Sequence, residues 1–295
     1  MTSVACNLCG ADDYTVLFQA GVAQPSQIVR CNHCSFMYAY PLAHGADIDS
    51  IPSWDPDLVY RQVKEQESHR VEKQTLQRRD YDVTRRFLAE RHPQRGKLVE
   101  VGSSLGYLLD YFRRDGWDVS GVEPNRGFAL YAQREFGLSV IPTTLGESDI
   151  APGSVDVLLM MHVIEHVPNP SAVFREVHQV LKRGGTFVLE TPRYDSLMFK
   201  LLGKRERSLS CDGHIYFFTS TTLAEMARRC GFEVLTTSFV GRSLTMDRLL
   251  YNVGVVSKSD RLRGLLRRMS MRLNLNKVPL YLNLRDMERI YLRKA

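Results

Sequence analysis

The chain has 295 residues, of which 44% are hydrophobic and 24% charged, a composition typical of a soluble globular protein with one α/β domain and additions. No stretch approaches the run of about 18 apolar residues that a membrane-spanning helix needs, and the N-terminus MTSVACNLCG has no basic-then-apolar leader. We therefore expect a cytoplasmic protein with no transmembrane segment. The formal charge of +6 is compatible with an acidic partner, but such an excess is more often a solubility feature.

Four of the six cysteines form two C-x-x-C pairs near the N-terminus, Cys6 with Cys9 and Cys31 with Cys34. This spacing predicts two tight knuckles that bind one tetrahedral zinc ion, rather than a secreted disulfide framework. Because four thiolates complete a closed site, His33 is not expected to be a ligand. We interpret the zinc as structural, since so small a module cannot bury enough apolar surface alone. A redox role for the pairs is the alternative.

The chain divides into three parts. Residues 1–40 are the predicted zinc ribbon, and residues 41–95 are predicted to be a turn-rich linker followed by one or two charged helices. Residues 96–295 alternate short apolar runs with helical segments, which predicts right-handed βαβ units, a largely parallel sheet and helices on both faces. The predicted strands are 97–102, 118–123, 138–143, 155–161, 186–191, 232–240 and 288–294.

A basic segment precedes the last predicted strand. Nine Arg and Lys residues within 242–277 accompany only two acidic residues, and apolar side chains recur there at helical spacing, at Leu262, Leu265, Leu266 and Met269. We predict a basic helical insertion over 242–287 and interpret it as an accessory helix whose apolar stripe packs on the body of the protein. Binding to a membrane surface or an anionic substrate is the alternative.

The segment LVEVGSSLGYLLDYF (98–112) predicts a strand, a turn and a helix, with Glu100, Gly102, Ser104 and Gly106 at alternate positions. It resembles the acidic-x-Gly-x-Gly-x-Gly signature of class I S-adenosylmethionine-dependent methyltransferases, with Ser104 in place of the middle glycine. The resemblance implies that the glycines let the main chain approach the cofactor, and that Glu100 receives its ammonium directly or through water. Nicotinamide enzymes use a related glycine-rich turn, so the following segments are needed to decide.

Glu123 ends the second strand of this region, 17 residues after Gly106, where a carboxylate can accept hydrogen bonds from both ribose hydroxyls. Pro124 is expected to open the next helix. After the third strand, the resemblance implies that Glu147 contacts the adenine.

The segment GSVDVLLMMHVIEHVPNPSAVFREVHQVLKRGGTFVLETP (153–192) resembles the same family's fourth strand, Ile-Glu-His-Val segment, following helix and fifth strand. Met161 and His162 leave the fourth strand at the carboxyl edge, where ligands bind in open α/β sheets, and both are expected near the cofactor. The resemblance covers about 97–240. It implies a Rossmann-like, seven-stranded methyltransferase sheet, bound S-adenosylmethionine and, with the cysteines, the zinc-ribbon-bearing type of this family.

Three histidines are candidate general bases, because the sulfonium donor is already reactive and the protein must align the acceptor and accept its proton. His214 ranks first because its loop, SCDGH, follows a basic stretch that could close over the substrate. His162 ranks second and His166 third. The alternative for His214 is that it caps the helix at Thr219 or packs on Phe217.

We predict methyl transfer to a polar small molecule, most simply a hydroxyl of a sugar or natural-product intermediate. Methylation of ribosomal or transfer RNA is one alternative, although few aromatic residues alternate with Arg or Lys in the ribbon. Carbon methylation of a nucleotide-linked deoxysugar and a non-catalytic cofactor-binding scaffold are the others.

Overall fold

The structure, a computed structural model, describes residues 5–41, 55–66, 70–211, 213–247, 249–250, 259–273, 275 and 278–295. Most of the turn-rich segment predicted after residue 41 lies outside these residues. Within the described part of the chain, no helix combines the length and apolar character needed to cross a bilayer.

Eleven strands are present in the described residues, and they form two sheets. The first three belong to the N-terminal module, seven form the large sheet, and β9 joins the small sheet from a later part of the chain. The strands are β1 (Tyr14–Phe18), β2 (Gln27–Cys31), β3 (Met37–Tyr40), β4 (Lys97–Val101), β5 (Asp118–Val122), β6 (Ser139–Ile141), β7 (Val155–Met161), β8 (Leu181–Pro192), β9 (Tyr216–Phe217), β10 (Phe232–Thr245) and β11 (Pro279–Lys294).

The large sheet has the order β6-β5-β4-β7-β8-β11-β10. Strands β4 to β8 are parallel to their neighbours, whereas β11 runs antiparallel between β8 and β10. The predicted seven-stranded Rossmann-like sheet is confirmed. Strand β7 also has the predicted bounds, because its sequence VDVLLMM is apolar on both faces, as a parallel strand covered by helices on both sides must be.

Helices cover both faces of this sheet, as predicted. Side chains of α2, α3 and α4 pack with Val157 and Leu159 on one face, while those of α5 and α7 pack with Leu158 and Met160 on the other. The helices are α1 (Pro56–Gln66), α2 (Arg70–Arg91), α3 (Tyr107–Arg114), α4 (Arg126–Phe136), α5 (Pro170–Val180), α6 (Leu197–Leu202), α7 (Ser220–Arg229) and α8 (Asp260–Arg272).

The N-terminal module shares its sheet and its core with the rest of the protein. Strands β1, β2 and β3 are antiparallel, and β9 adds a fourth strand beside β3. The ring of Phe36 stacks on Tyr216 at a centroid distance of 5.5 Å and lies 5.0 Å from Phe218. The predicted domain boundary at residue 40 stays a prediction, but no gap in packing marks it.

The last two strands extend further than predicted. Strands β10 and β11 pair from Phe232 with Lys294 as far as Thr245 with Pro279, so both enter the segment predicted as a helical insertion, 242–287. Residues 279–282 form a strand because they pair with β10, and the pairing resumes at Met287 after a break in register over 283–286. Helix α8 (Asp260–Arg272) lies within the described part of that segment, so part of it is helical as predicted.

Helix α8 is also less buried than expected. Leu262 and Leu266 are half-buried, but the side chains of Leu265 and Met269 are 58% and 38% exposed. The prediction that the whole apolar stripe packs on the body is therefore wrong, because the buried face of the helix follows Leu262, Leu266 and Ser270 instead.

Candidate functional site

The glycine-rich turn after β4 has an unusual backbone. Gly102, Ser104 and Gly106 have φ of +70°, +48° and +79°. A Cβ on Gly102 would lie 2.3 Å from Cγ2 of Val163, and one on Gly106 would lie 2.8 Å from Cβ of Ala132. Both positions therefore require glycine because of the protein's own backbone conformation and packing. From the sequence, the requirement for glycine was attributed instead to the space that the ligand occupies. Ser104 adopts a left-handed conformation that glycine would enter more readily.

The carboxylate of Glu123 fastens this turn to the end of β5. It accepts hydrogen bonds from the backbone N–H of Ser104, at 2.8 Å, and of Asn125, at 2.9 Å. Burial raises the pKa of Glu123. The next helix begins at Arg126 with Asn125 as its N-cap, so the expectation that Pro124 opens it is wrong by two positions: the Asn125 side chain, rather than the fixed φ of proline, supplies the helix start.

Glu100 is buried beneath the same turn, and its Oε2 has no hydrogen-bond partner. Burial, together with the nearby charge of Glu123, raises the pKa of Glu100 well above its usual range. Among the described residues, no basic side chain forms an ion pair with either carboxylate. Two buried acids without a cationic partner make this end of the sheet electrostatically suited to a positively charged ligand.

His162 follows β7 at the carboxyl edge with a φ of +58°. Its Nε2 lies 3.0 Å from Oε1 of Glu190, and its Nδ1 lies 3.6 Å from Oε1 of Glu165. Burial alone would lower the pKa of His162, but the two carboxylates outweigh it and raise the pKa to about 9. His162 is therefore protonated at neutral pH and has no lone pair with which to accept a proton. Met161, just before it, is buried at the end of the strand.

Glu190 is held on its other side by Arg289. Nε and Nη2 of Arg289 lie 2.7 Å and 2.5 Å from Oε2 of Glu190, and Nη1 donates to Oγ1 of Thr84 at 2.8 Å. Burial opposes ionisation of Glu190, but Arg289 and His162 lower its pKa to about 2. This buried ion pair connects β8 to β11 and fixes the neighbour of His162.

The sequence interpretation did not single out Glu165, Glu190 or Arg289. The available signal for Glu190 was that it is the one charged residue in the apolar strand TFVLETP, because a charge within a buried strand must find a partner.

His166 and His214 lie side by side. Their ring centroids are 4.5 Å apart, nearly perpendicular, and one nitrogen of each lies within 4.8 Å of the other and of a carboxylate oxygen of Glu165. His214 is buried, its Nδ1 is 3.3 Å from the hydroxyl of Tyr194, and burial lowers its pKa to about 4. Helix α7 is capped by the Thr219 side chain itself, so the capping alternative for His214 is wrong.

The loop that carries His214 is anchored on two sides. The backbone N–H groups of Ile215 and Tyr216 donate to the carbonyl of Glu165 at 2.9 and 3.1 Å, and the carbonyl of Ile215 accepts from Ala39 of β3 at 2.8 Å. The N-terminal module therefore supports the loop that places His214 beside His166.

Glu147 is exposed, and its Oε2 accepts hydrogen bonds from the hydroxyls of Thr143, at 3.1 Å, and Thr144, at 3.0 Å. These two hydroxyls lower the pKa of Glu147. Its expected contact with the adenine stays a prediction.

The four paired cysteines converge at one end of the N-terminal module. The Sγ atoms of Cys6 and Cys34, and those of Cys9 and Cys31, are 3.5 Å apart, and all four lie within 4.8 Å of one another. A disulfide would bring two sulfurs to about 2.05 Å. Zinc with four Zn–S bonds of about 2.3 Å separates the sulfurs by about 3.8 Å, so the cluster fits a tetrahedral ion.

The first knuckle also contacts the methyltransferase-like part of the chain. The Asn7 side chain donates to Oδ1 of Asn169 at 2.8 Å and accepts from the backbone N–H of Ser171 at 2.9 Å, at the start of α5. The Leu8 carbonyl accepts from Arg229 at 3.1 Å. The cysteine cluster is thereby fastened to α5 and α7, as well as to β9.

The strand order, the glycine-rich turn and the carboxylate of Glu123 define the class of protein, the Rossmann-like methyltransferases that use S-adenosylmethionine. The sequence profile of a family described as a methyltransferase domain matches residues 73–237, more than half of the chain. The chain belongs to this methyltransferase-domain family.

Curated relatives are similar at moderate identity. A ubiquinone biosynthesis O-methyltransferase of Ralstonia nicotianae is 27% identical over 193 residues, covering 61% of this chain and 75% of that enzyme. The enzyme of the same name from Pseudomonas aeruginosa strain UCBPP-PA14 is 27% identical over 150 residues, covering 47% of this chain. The chain matches 65% of the length of that enzyme.

Two solved structures are similar in part. The PH0226 protein of Pyrococcus horikoshii has a TM-score of 0.49 at 15% identity, covering 74% of this chain and 90% of that one. Geranyl diphosphate C-methyltransferase of Streptomyces coelicolor has a TM-score of 0.47 at 16% identity, covering 72% and 79%. The fold assignment rests on the strand order described above.

Proposed function

We propose that the protein transfers a methyl group from S-adenosylmethionine to a hydroxyl of a polar small molecule, such as a sugar or natural-product intermediate. The observation that carries the proposal is the pairing of His166 with His214 beyond the carboxyl end of β7. Strand β7 lies next to β4, which carries the glycine-rich turn. Residues suited to holding the cofactor and residues suited to accepting a proton therefore lie at one edge of the sheet. The O-methyltransferase names of the curated relatives also support oxygen as the acceptor atom.

The residues around the turn fit the cofactor. Glu100 and Glu123 would hold it, because a bound cation would favour the charged forms of these two buried acids, whose pKa values are raised and which have no basic partner among the described residues. Glu123 has one N–H donor on each oxygen, so each oxygen can still accept from a ribose hydroxyl. When bound, the cofactor supplies a methyl group that is already reactive toward a nucleophile. The protein must then orient the acceptor and take up its proton.

His214 is the residue best suited to take up that proton. Its pKa of about 4 keeps the imidazole neutral at pH 7. Nδ1 lies 3.3 Å from the Tyr194 hydroxyl, and in the tautomer whose Nδ1–H donates to that hydroxyl, the lone pair of Nε2 would receive the proton of the acceptor. The charge of Glu165 would stabilise the imidazolium as it forms. His166 ranks second, because it lies against His214. His162 ranks last, which differs from the predicted order, because Glu190 keeps it protonated.

For the cysteine cluster we propose structural zinc bound by Cys6, Cys9, Cys31 and Cys34. The support is the convergence of four sulfurs at distances that a tetrahedral ion would require, and the contacts that connect both knuckles to the methyltransferase domain. The ion would thereby stabilise the loop of His214.

The acceptor class is tested by incubating the protein with methyl-labelled S-adenosylmethionine and two separate acceptor pools, a small-molecule metabolite extract and ribosomal RNA. Label in a small molecule would support the proposal if mass spectrometry identifies the labelled product as a methyl ether. Label in RNA, or on carbon, would contradict it in favour of one of the two alternatives. No label in either pool, despite cofactor binding, would favour the scaffold. The domain division and the cytoplasmic location stay predictions.

A further inference from the structure

Helix α8 presents apolar and cationic side chains to solvent along adjacent rows. Leu265 and Met269, four residues apart, are 58% and 38% exposed. Arg261, Arg268 and Arg272 are seven and four residues apart, are all exposed, and form the next row around the helix. The helix packs on the protein along Leu262, Leu266 and Ser270, but this packing leaves the second apolar row, Leu265 and Met269, in water beside the arginines.

Helix α6 repeats the pattern. Leu197 and Leu201 lie on one face, four residues apart, and are 68% and 71% exposed. Lys200, Lys204 and Arg205 are exposed close by. Four large apolar side chains on two helices are thus in contact with water, each beside basic residues. Soluble proteins seldom leave such side chains clustered in solvent unless something covers them.

Both helices lie at the carboxyl edge of the large sheet. Helix α6 follows directly after β8, which ends at Pro192. Strand β11 pairs with β8 only from Met287 onward, so residues 279–286 extend past the end of β8, where 279–282 pair with β10. Helix α8 lies in the connection at the far end of that extension. The two helices therefore lie at the edge that also carries the glycine-rich turn and His214.

We propose that the exposed faces of α6 and α8, which carry Leu197, Leu201, Arg261, Leu265, Arg268, Met269 and Arg272, dock on an anionic lipid bilayer. The apolar side chains enter the boundary between headgroups and acyl chains while the arginines contact lipid phosphates, which is the behaviour of interfacial amphipathic helices. An RNA partner is disfavoured, because Leu and Met cannot stack on bases as aromatic rings do, and residues 259–273 contain no aromatic side chain. Docking would turn the acceptor edge toward the membrane.

The proposal goes beyond the methyl transfer proposed above, since docking needs neither cofactor nor acceptor. The test is co-sedimentation of the full chain with vesicles rich in phosphatidylglycerol and with vesicles of phosphatidylcholine alone. We expect binding to the anionic vesicles to be at least about tenfold stronger and to weaken as salt is raised. Arg268→Gln with Arg272→Gln should weaken it by about fivefold per arginine, which corresponds to about 1 kcal/mol each.

The apolar contribution is tested separately with the double variant Leu265→Ser and Met269→Ser, which should reduce binding at least about tenfold. The matched control is Leu58→Ser with Val83→Ser, which changes two apolar side chains of similar exposure on α1 and α2 and should leave binding unchanged. All variants change exposed side chains, and unchanged circular dichroism melts verify folding. The proposal is overturned if the wild type does not bind anionic vesicles or if RNA displaces the vesicles. It is also overturned if the Leu265→Ser, Met269→Ser variant and the Leu58→Ser, Val83→Ser control bind the vesicles equally.

Discussion

Nε2 of His162 lies 3.0 Å from Oε1 of Glu190, and the other oxygen of Glu190 lies 2.7 Å from Nε of Arg289. This chain of charges crosses three adjacent strands, β7, β8 and β11. It makes His162 a cation that belongs to the framework of the site and leaves His214, whose pKa is lowered to about 4, as a neutral histidine at the carboxyl edge. The interaction also gives stability a pH dependence that can be measured.

The free energy of unfolding should fall as pH rises from about 6.5 to 9, because His162 loses its proton in the folded protein over this range. Its pKa rises from 6.5 in the unfolded chain to about 9 in the folded protein. Its stabilising contribution is therefore complete below about pH 6.5 and is lost as pH rises through about 9. Urea unfolding at a series of pH values should show this loss, and His162→Asn should flatten it. His178→Asn is the control, because burial lowers the pKa of His178 and moves its titration below this window. If His162→Asn leaves the pH dependence of the unfolding free energy unchanged, Glu165 and Glu190 do not keep His162 protonated in the folded protein.

Ser104→Gly should stabilise the protein. A residue with a Cβ in the left-handed region costs about 1–2 kcal/mol, part of which is offset by the greater freedom of glycine in the unfolded chain, so a net gain of roughly 0.5–1 kcal/mol is expected. Thermal or urea unfolding measures it. Ser103→Gly, one residue earlier and outside the left-handed region, should instead lose stability. If both variants shift stability in the same direction, strain at Ser104 is not the cause.

Glu123→Ala should weaken S-adenosylmethionine binding by roughly 1.5–3 kcal/mol, the range for hydrogen bonds to charged groups. Part of this effect comes from the released N–H groups of Ser104 and Asn125, so Glu123→Gln, which keeps one acceptor oxygen, should lose less. Glu233→Ala removes an exposed carboxylate at the start of β10, which accepts a hydrogen bond from Arg293, and serves as the control. Calorimetry that gave equal affinities for wild type and Glu123→Ala would place the cofactor elsewhere.

Cys9→Ser should remove the metal and loosen the loop of His214. About one zinc per chain is expected in the wild type by elemental analysis, with a lower melting temperature after its loss. Because Phe36 and Ala39 connect the module to β9, the NMR signal of the His214 ring should also broaden or shift. Cys230→Ser, a partly buried cysteine outside the cluster, should leave the metal content unchanged. Wild-type protein with no metal and an ordered ring signal for His214 would contradict the proposal.

Much of the sheet could be predicted because its signals are local. The apolar run at 155–161 and the strand, turn and helix around Gly102 depend on residues close in sequence, and both lie where expected. The position of Glu123 at the end of β5 was likewise predicted from the local sequence, since it follows an apolar run. Only the finer local details differed, such as Asn125 rather than Pro124 starting α4.

The features that escaped prediction depend on partners distant in sequence. Glu190 and Arg289 are 99 residues apart and meet only because β11 inserts between β8 and β10 in antiparallel register. The early start of β11 has the same origin, since residues 279–282 become a strand by pairing with β10. The protonation of His162 could not be foreseen either, because it follows from Glu190 on the neighbouring strand.

The central claim, that His214 accepts the proton during methyl transfer, is tested most directly by single-turnover kinetics with labelled S-adenosylmethionine and the acceptor found in the metabolite pool. We predict that His214→Ala keeps the cofactor affinity of the wild type but lowers the rate by about two to four orders of magnitude. The wild-type rate should rise with pH through about 4 and reach a plateau by neutrality, because the deprotonated imidazole is the active form. A near-normal rate in His214→Ala, together with a large loss in His162→Ala, would contradict the account.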